Sequence, residues 1–469
     1  VPIVARLRST SPLPWAIGIG LLALVVRLPL LGGATAWVDS PLYERIAGSL
    51  IRGDGFSSRG HLFGDDYRMP GYPLLVAGFR VLPGTTAEVT GTMQHLIGVA
   101  FAVAVLLVAW RFFGRLVGVL AGLLMAIAPL ELFTEHALLP DFLFTVLVFT
   151  AVALTAEAAT REAPSWKLLA GVGLTLAAAT YVKPNALILV ALAPVAFLLA
   201  RRGWRLALRA TLVCGAALAV ALVPWAARNW IEEGTPTLTT QGGASLWVAA
   251  FDQDHLPFTA PHGEHERLAL AAAERARAFK AAHGLPPLTY AQVFEALRDR
   301  GQSAVSAADT MGAMAVRSML NHPLDYLNGS AHVLKMEWRM TGLSEWPAHR
   351  MRGVLDDPPG IGSVWITRAA ANVSDVVLTV WWLLTLGGLS GVALLASTER
   401  RERAAAGAFL GAWALMAFGT ALTNTIDLRY VAQLAPLVWT VGIAGSAFAV
   451  RTVIAGLRAR RRPAATEPA

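Results

Sequence analysis

The run Trp15-Ala-Ile-Gly-Ile-Gly-Leu-Leu-Ala-Leu-Val-Val-Arg-Leu-Pro-Leu-Leu31 decides the fold. It is long and apolar enough to cross a hydrocarbon core of roughly 30 Å. The loop after it has an unusual polar content. This loop opens on Trp37-Val-Asp39-Ser-Pro-Leu-Tyr43-Glu44-Arg45-Ile-Ala47 and closes on Tyr67-Arg68-Met69-Pro70-Gly71-Tyr72-Pro73. A carboxylate a few residues beyond a membrane helix, with an arginine between tyrosines and prolines, suits a polar group attached to a lipid.

Working outward, comparable apolar segments recur near 91–110, 116–133, 139–156, 166–182, 185–200, 206–227, 375–397, 404–423 and 430–450. With the first segment at 14–33 they predict an all-α polytopic bundle of about ten spans, nine to twelve allowing for short segments. The composition agrees, with 55% hydrophobic and only 15% charged residues, against roughly 25% charged in soluble domains. Three blocks emerge. These are a membrane block 1–227 with its first outer loop 34–90, a polar insertion 228–373, and a closing membrane block 374–457 with a basic tail 458–469. In the insertion, apolar positions every three or four residues predict helices over 264–283, 290–300, 306–320 and 323–340, with weak strand signals confined to 237–250.

Lys and Arg collect on cytoplasmic loops of membrane proteins. Arg111, Arg115, Arg161, Lys167, Arg201, Arg202, Arg400, Arg401 and Arg451 therefore predict both termini inside and the first loop and insertion outside. The first segment then stays as an anchor. The five arginines of the first outer loop run against this bias, and the loop is near the length of about 60 residues where the rule fades. The formal charge of +8 is met by anionic lipid headgroups, so no nucleic-acid partner is expected. The single cysteine, Cys214, excludes an intrachain disulfide framework.

On this orientation Asp39, Glu135, His136, Asp141, Lys183, Arg228, Asp427, Arg429 and Tyr430 all emerge on the outer side. Ionisable groups at a membrane edge are costly and default to functional roles. Asp39 is either a general base or the N-cap of the helix opening at Ser40-Pro41. Arg68, Lys183, Arg228 and Arg429 are candidates for holding a phosphate, or cations snorkelling to headgroups. Glu135 can orient an acceptor, position an arginine, bind a divalent cation with a histidine or form a salt bridge, and Asp141 can cap the span it opens. His262 and His265, with Glu264 and Glu266, are weak metal candidates; no cofactor is otherwise indicated.

In order along the chain, Asp39 with Tyr43-Glu44-Arg45, Tyr67 through Pro73, Glu135 with Pro140-Asp141, Lys183-Pro184, Pro224-Trp225-Ala-Ala-Arg228-Asn229 with Gln241-Gly242-Gly243, and Asp427-Leu-Arg429-Tyr430 resemble the C superfamily of membrane glycosyltransferases (GT-C). The nearest pattern is that of the protein O-mannosyltransferases and lipid A aminoarabinose transferases. The resemblance implies a GT-C bundle that moves a sugar from a polyprenyl-phosphate carrier to a lipid, glycan or protein acceptor, with inversion, at an extracytoplasmic site; the high Ala, Arg and Gly usage points to a GC-rich prokaryotic genome and hence a prokaryotic plasma membrane. It assigns Asp39 and Glu135 to catalysis. Tyr43, Arg68, Tyr72, Asp141, Lys183, Arg228, Arg429 and Tyr430 fall to substrate or phosphate binding. Two departures bear on the acceptor. Ser40 comes after Asp39 where the O-mannosyltransferases carry Asp-Glu, and Arg68-Met69-Pro70 stands where the aminoarabinose transferases carry an acidic-Lys-Pro run. The competing class is a transporter or lipid flippase, which would place ionisable groups at mid-span or show related halves.

Overall fold

The computed structural model describes residues 11–36, 39–58, 60, 62–285, 288–339, 388–423 and 433–460. Helix α1 (Leu13–Arg27) leads to the first loop, which holds α2 (Ser40–Ile51) and α3 (Gly71–Phe79). The membrane block continues with α4 (Thr86–Phe113), α5 (Arg115–Ile127), α6 (Pro129–His136), α7 (Asp141–Thr160), α8 (Trp166–Val182), a 3₁₀ stretch Pro184–Ala191 running into α9 (Leu192–Leu199), and α10 (Trp204–Glu233). The insertion contributes α11 (Gln241–Trp247), a π turn Val248–Gln253, α12 (Glu264–Ala282), α13 (Tyr290–Asp299), α14 (Ala304–Asn321) and α15 (Pro323–Arg339). The closing block supplies α16 (Arg400–Thr423) and α17 (Ala435–Arg460).

Among the described residues, six helices are long and apolar enough to span a membrane: 13–30, 86–113, 141–160, 204–233, 400–423 and 435–457. Three expected spans are shorter helices, Arg115–Ile127, Trp166–Val182 and Pro184–Leu199. For two of them the physical reason is proline. Ahead of Pro129 the backbone of Ala128 is extended (φ −62°, ψ 115°), as the ring of the next proline favours. The expected span 116–133 therefore breaks into α5 and α6. Pro184 likewise opens a 3₁₀ stretch where a continuous span was expected at 185–200. Most of the expected span 375–397 lies outside the described residues.

The insertion helices match expectation closely, while the strand signals at 237–250 do not become strands. Gln241–Trp247 is helical, because the alternation there is short and its apolar residues are claimed by a helical core. That core is shared. Leu42, Ile46, Phe63 and Tyr67 of the first loop are buried in one cluster with Trp247, Phe251, Phe294, Leu297 and Met311 of the insertion. The first loop thus shares a core with the insertion on one side and packs on the membrane block on the other. A separate large cluster unites α1, α4, α5, α7 to α10, α16 and α17.

One face of α4 organises the end of the bundle nearest Asp39. The helix starts at a reciprocal cap in which the Glu88 N–H donates to Thr85 Oγ1 (3.3 Å) and the Thr85 N–H to Glu88 Oε2 (2.7 Å). Gly91, Gln94, His95 and Gly98 then occur at the spacing that shares a helix face. A Cβ at Gly91 would meet the Gly33 carbonyl oxygen at 1.8 Å, and one at Gly98 would meet Glu135 Oε1 at 2.3 Å. The two glycines therefore let the start of the first loop and the end of α6 lie directly on α4. At the opposite end Arg111 and Arg161 pair with Glu157, Arg202 donates to the Arg161 and Glu162 carbonyls, and Arg400 reaches Glu162. These basic residues, assigned to inner loops, thus gather together, away from Asp39.

Candidate functional site

Asp39 ends the turn ahead of α2 but does not cap it, since its side chain makes no capping hydrogen bond. Instead Arg68 Nη2 donates to Asp39 Oδ1 at 2.6 Å, and the pair keeps partial exposure, 28% for the carboxylate and 12% for the guanidinium. Arg68 lies over two rings, 4.8 Å from the Tyr67 centroid and 5.4 Å from that of Tyr43. Tyr43 meets Tyr72 edge to face at 5.1 Å, and Tyr72 donates to Gln94 Oε1 at 3.0 Å. Gln94 donates in turn to the Glu135 and Ala137 carbonyls at 2.7 and 2.9 Å. Tyr43 and Tyr72 are buried. They pack together beneath Arg68.

The remaining cations converge from other elements. Lys183, where α8 stops, donates to Asp141 Oδ1 at 3.0 Å. Gln433 donates to the same oxygen at 2.7 Å, tying the closing block to this end. Asp141 opens α7 without a side-chain cap, so its expected capping role gives way to the lysine pair. Arg228 donates to the Phe56 carbonyl (3.2 Å) and to Asn229 Oδ1 (3.0 Å), and lies over the Phe56 and Trp225 rings. It is bound to the first loop rather than reaching freely to headgroups. An apolar cavity of about 680 Å³ is lined among others by Phe56, Pro70, Leu143, Val182 and Trp225. Its walls come from the near sequence neighbours of Arg68, Asp141, Lys183 and Arg228.

Glu135, expected as a second catalytic carboxylate, is sealed inside the bundle. Arg27 donates to it twice, Nη2 to Oε1 at 2.6 Å and Nε to Oε2 at 2.7 Å, with both side chains 1% exposed. His95 Nδ1 joins at 2.9 Å, and His95 Nε2 contacts His136 Nδ1 at 3.2 Å. The carboxylate is thus enclosed by Arg27 and His95, in contrast to the partly exposed Asp39–Arg68 pair. Arg27, Gln94 and His95 were missed from sequence, although a lone arginine within an apolar run is the kind of costly residue that marks a specific partner. Arg429 and Tyr430 lie outside the described residues. His262 and His265 are exposed or nearly so. The neighbouring Glu266 accepts the His262 backbone N–H and the Arg317 guanidinium. Among the described residues no three His, Cys, Asp or Glu groups converge as metal ligands, so this cluster forms no ligand set.

Asp66 is the other group that sequence reading passed over. It is fully buried where the first loop meets the insertion; Thr240 Oγ1 donates to Oδ1 at 3.4 Å, and Oδ2 has no partner among the described residues. Burial, reinforced by Glu233 and opposed by backbone and Thr240 hydrogen bonds and by Arg228, pushes its carboxyl up to about 6. A carboxyl that holds its proton more tightly when folded stabilises most below its unfolded value of 3.8. That stabilisation is lost as pH rises through about 6, by at most about 1.4 kcal/mol per pH unit. Exchange protection of the 62–68 amides, corrected for intrinsic rate, should therefore fall between pH about 4 and about 6. Asp66→Asn should remove that slope; an equal slope in the variant would show another group to be responsible.

Residues 68–228 match the model of the dolichyl-phosphate-mannose-protein mannosyltransferase family. The matched segment carries Arg68, Asp141, Lys183 and Arg228, while Asp39 and nearly all of the insertion fall outside it. Comparison with curated proteins finds no match. Three solved structures resemble the chain at low identity. The Archaeoglobus fulgidus oligosaccharyltransferase tethered to an acceptor peptide with the NVT sequon is 12% identical, with a TM-score of 0.48 over 95% of this chain and 50% of that one. ArnT from Cupriavidus metallidurans bound to undecaprenyl phosphate is 15% identical, with a TM-score of 0.44 over 97% of this chain and 82% of that one. AglB from Archaeoglobus fulgidus, in complex with an inhibitory peptide and a dolichol-phosphate, is 13% identical, with a TM-score of 0.48 over 97% and 52%. The chain thus spans about half the length of the archaeal enzymes. The likeness to the mannosyltransferase family is thus carried by residues 68–228, and the chain as a whole is similar to these membrane enzymes at low identity.

Proposed function

We propose that the protein is an inverting glycosyltransferase that moves a sugar from a polyprenyl-phosphate carrier to an acceptor hydroxyl or amine at the outer face of a prokaryotic plasma membrane. The observation that carries this reading is the apolar cavity of about 680 Å³ walled by the sequence neighbours of Arg68, Lys183 and Arg228. Such a cavity takes the first isoprene units of a carrier while the cations take its phosphate.

In the reaction, Asp39 accepts the acceptor's proton as the acceptor atom attacks the anomeric carbon from the side opposite the phosphate. The bond from the anomeric carbon to the phosphate oxygen breaks, and the electron pair leaves on the phosphate. Arg68 is shared between the base and the leaving group. Fixed cations in a partly dry site stabilise that developing charge, an effect worth roughly 2.7–4 kcal/mol for a lost donor. Arg228→Ala should therefore raise the donor KM and lower kcat in a reconstituted assay, with the acceptor KM little changed. Equal donor affinity in this variant would remove it from the phosphate site. Proton NMR of the product tests inversion directly, and a retained anomer overturns that part.

The transporter reading draws on the buried Arg27–Glu135–His95 cluster, because ionisable chains inside a membrane can mark ion paths. These groups are mutually paired and sealed, which favours a structural role. Transfer of sugar in detergent, where no membrane separates two compartments, distinguishes the readings.

A further inference from the structure

The insertion reaches Arg68 through a stack of rings. Tyr290 of α13 lies nearly parallel to Phe63 of the first loop, with centroids 5.8 Å apart and planes 17° apart. Phe63 stacks on Tyr67 at 4.4 Å and 20°, and the Arg68 guanidinium covers the other end, 4.8 Å from the Tyr67 centroid. Phe294, also from α13, meets Phe63 edge to face at 4.7 Å. Two threonines from the start of the insertion clamp the same loop: Thr239 donates to the Tyr67 carbonyl at 2.9 Å and Thr240 to that of Phe63 at 3.3 Å. Burial raises the Tyr290 hydroxyl's pKa, with Asp39 adding to the effect and Arg68 opposing it.

We propose that the seating of the insertion on the first loop sets the position of Arg68, with Phe63 and Tyr290 as positioning residues for the donor site. Parallel rings slide or tilt together, because offset stacking and cation–π attraction both depend on the placement of one group over the face of the next. A guanidinium at the end of such a stack is oriented by rings it does not touch. The insertion then acts as more than a cover: an acceptor that shifts α13 changes the grip on the donor, so binding of the two substrates is coupled. This assignment rests on the proposed role of Arg68 in holding the carrier phosphate.

The test compares Phe63→Leu, Phe63→Tyr and Leu297→Ala in the full chain. Leu297 is buried in the same core but does not belong to the stack. Two quantities are read: affinity for a polyprenyl monophosphate in micelles, and hydrogen exchange of the 64–70 amides without ligand. Phe63→Leu should weaken lipid-phosphate binding about tenfold and speed exchange at 64–70. Phe63→Tyr should restore both. Leu297→Ala should lower the melting midpoint at least as much and leave binding near wild type. Unchanged binding in Phe63→Leu, or an equal loss in Leu297→Ala, overturns the inference. If wild-type protein fails to bind the lipid phosphate while exchange responds as described, the donor reading and the substrate coupling fall together, and the positioning of Arg68 by the ring stack stands.

Discussion

Asp39→Asn should abolish transfer while leaving the protein folded. The amide keeps the size and can still accept a hydrogen bond from Arg68, but it has no basicity toward an acceptor proton. The expected fall in turnover is roughly 10²–10⁴-fold, the range for removing a positioned general base. Donor affinity should change little, because Arg68 remains on its stack of tyrosines. The structure strengthens this expectation by separating two roles that sequence left open. The carboxylate stands at the head of α2 without bonding its first turn and is partly exposed beside Arg68. Turnover within a few-fold of wild type in the purified, reconstituted variant would remove Asp39 from the chemistry.

The largest effect on stability should come from Arg27→Ala. Removing one partner of a buried ion pair leaves the other charge unpaired in a low dielectric, a loss of about 3–5 kcal/mol. Here Glu135 would lose two short hydrogen bonds, and the carbonyls of Ala23 and Ala126 would lose the donor that joins α1 to the end of α5. The double variant Arg27→Met with Glu135→Leu should recover much of the loss, since an apolar pair of similar volume restores packing without a stranded charge. The melting midpoint in detergent checks both, and a single variant as stable as wild type would sink the assignment. Activity should fall with stability, because the Glu135 backbone carbonyl accepts from Gln94, which accepts from Tyr72, which packs on Tyr43 beneath Arg68.

Much of the candidate site was legible before any tertiary structure. Asp39, Arg68, Lys183 and Arg228 stand out because a charged residue at the end of an apolar segment is costly. Glu135 was legible as unusual, with a salt bridge among its open readings, but its partner was not. Its local sequence puts it in a turn, and nothing in that sequence reveals that Arg27, distant in the chain, is aimed at it. Gln94, His95 and Asp66 were illegible for the same reason: each is an ordinary polar residue until the partner across the fold is known. The aromatic stack was beyond sequence altogether, because Phe63, Tyr67 and Tyr290 become neighbours only when the insertion folds onto the first loop.

Hydrophobic periodicity by itself indicated most of the helices and the membrane character, because these depend on interactions within a few residues or with a uniform solvent. Tertiary structure alone decided that the first loop shares its core with the insertion, that Glu135 is sealed and that Asp39 is paired rather than capping. Those outcomes depend on which side chains meet across the chain. A short carboxylate bonds its own backbone only when no better donor is near, and at position 39 Arg68 is that donor.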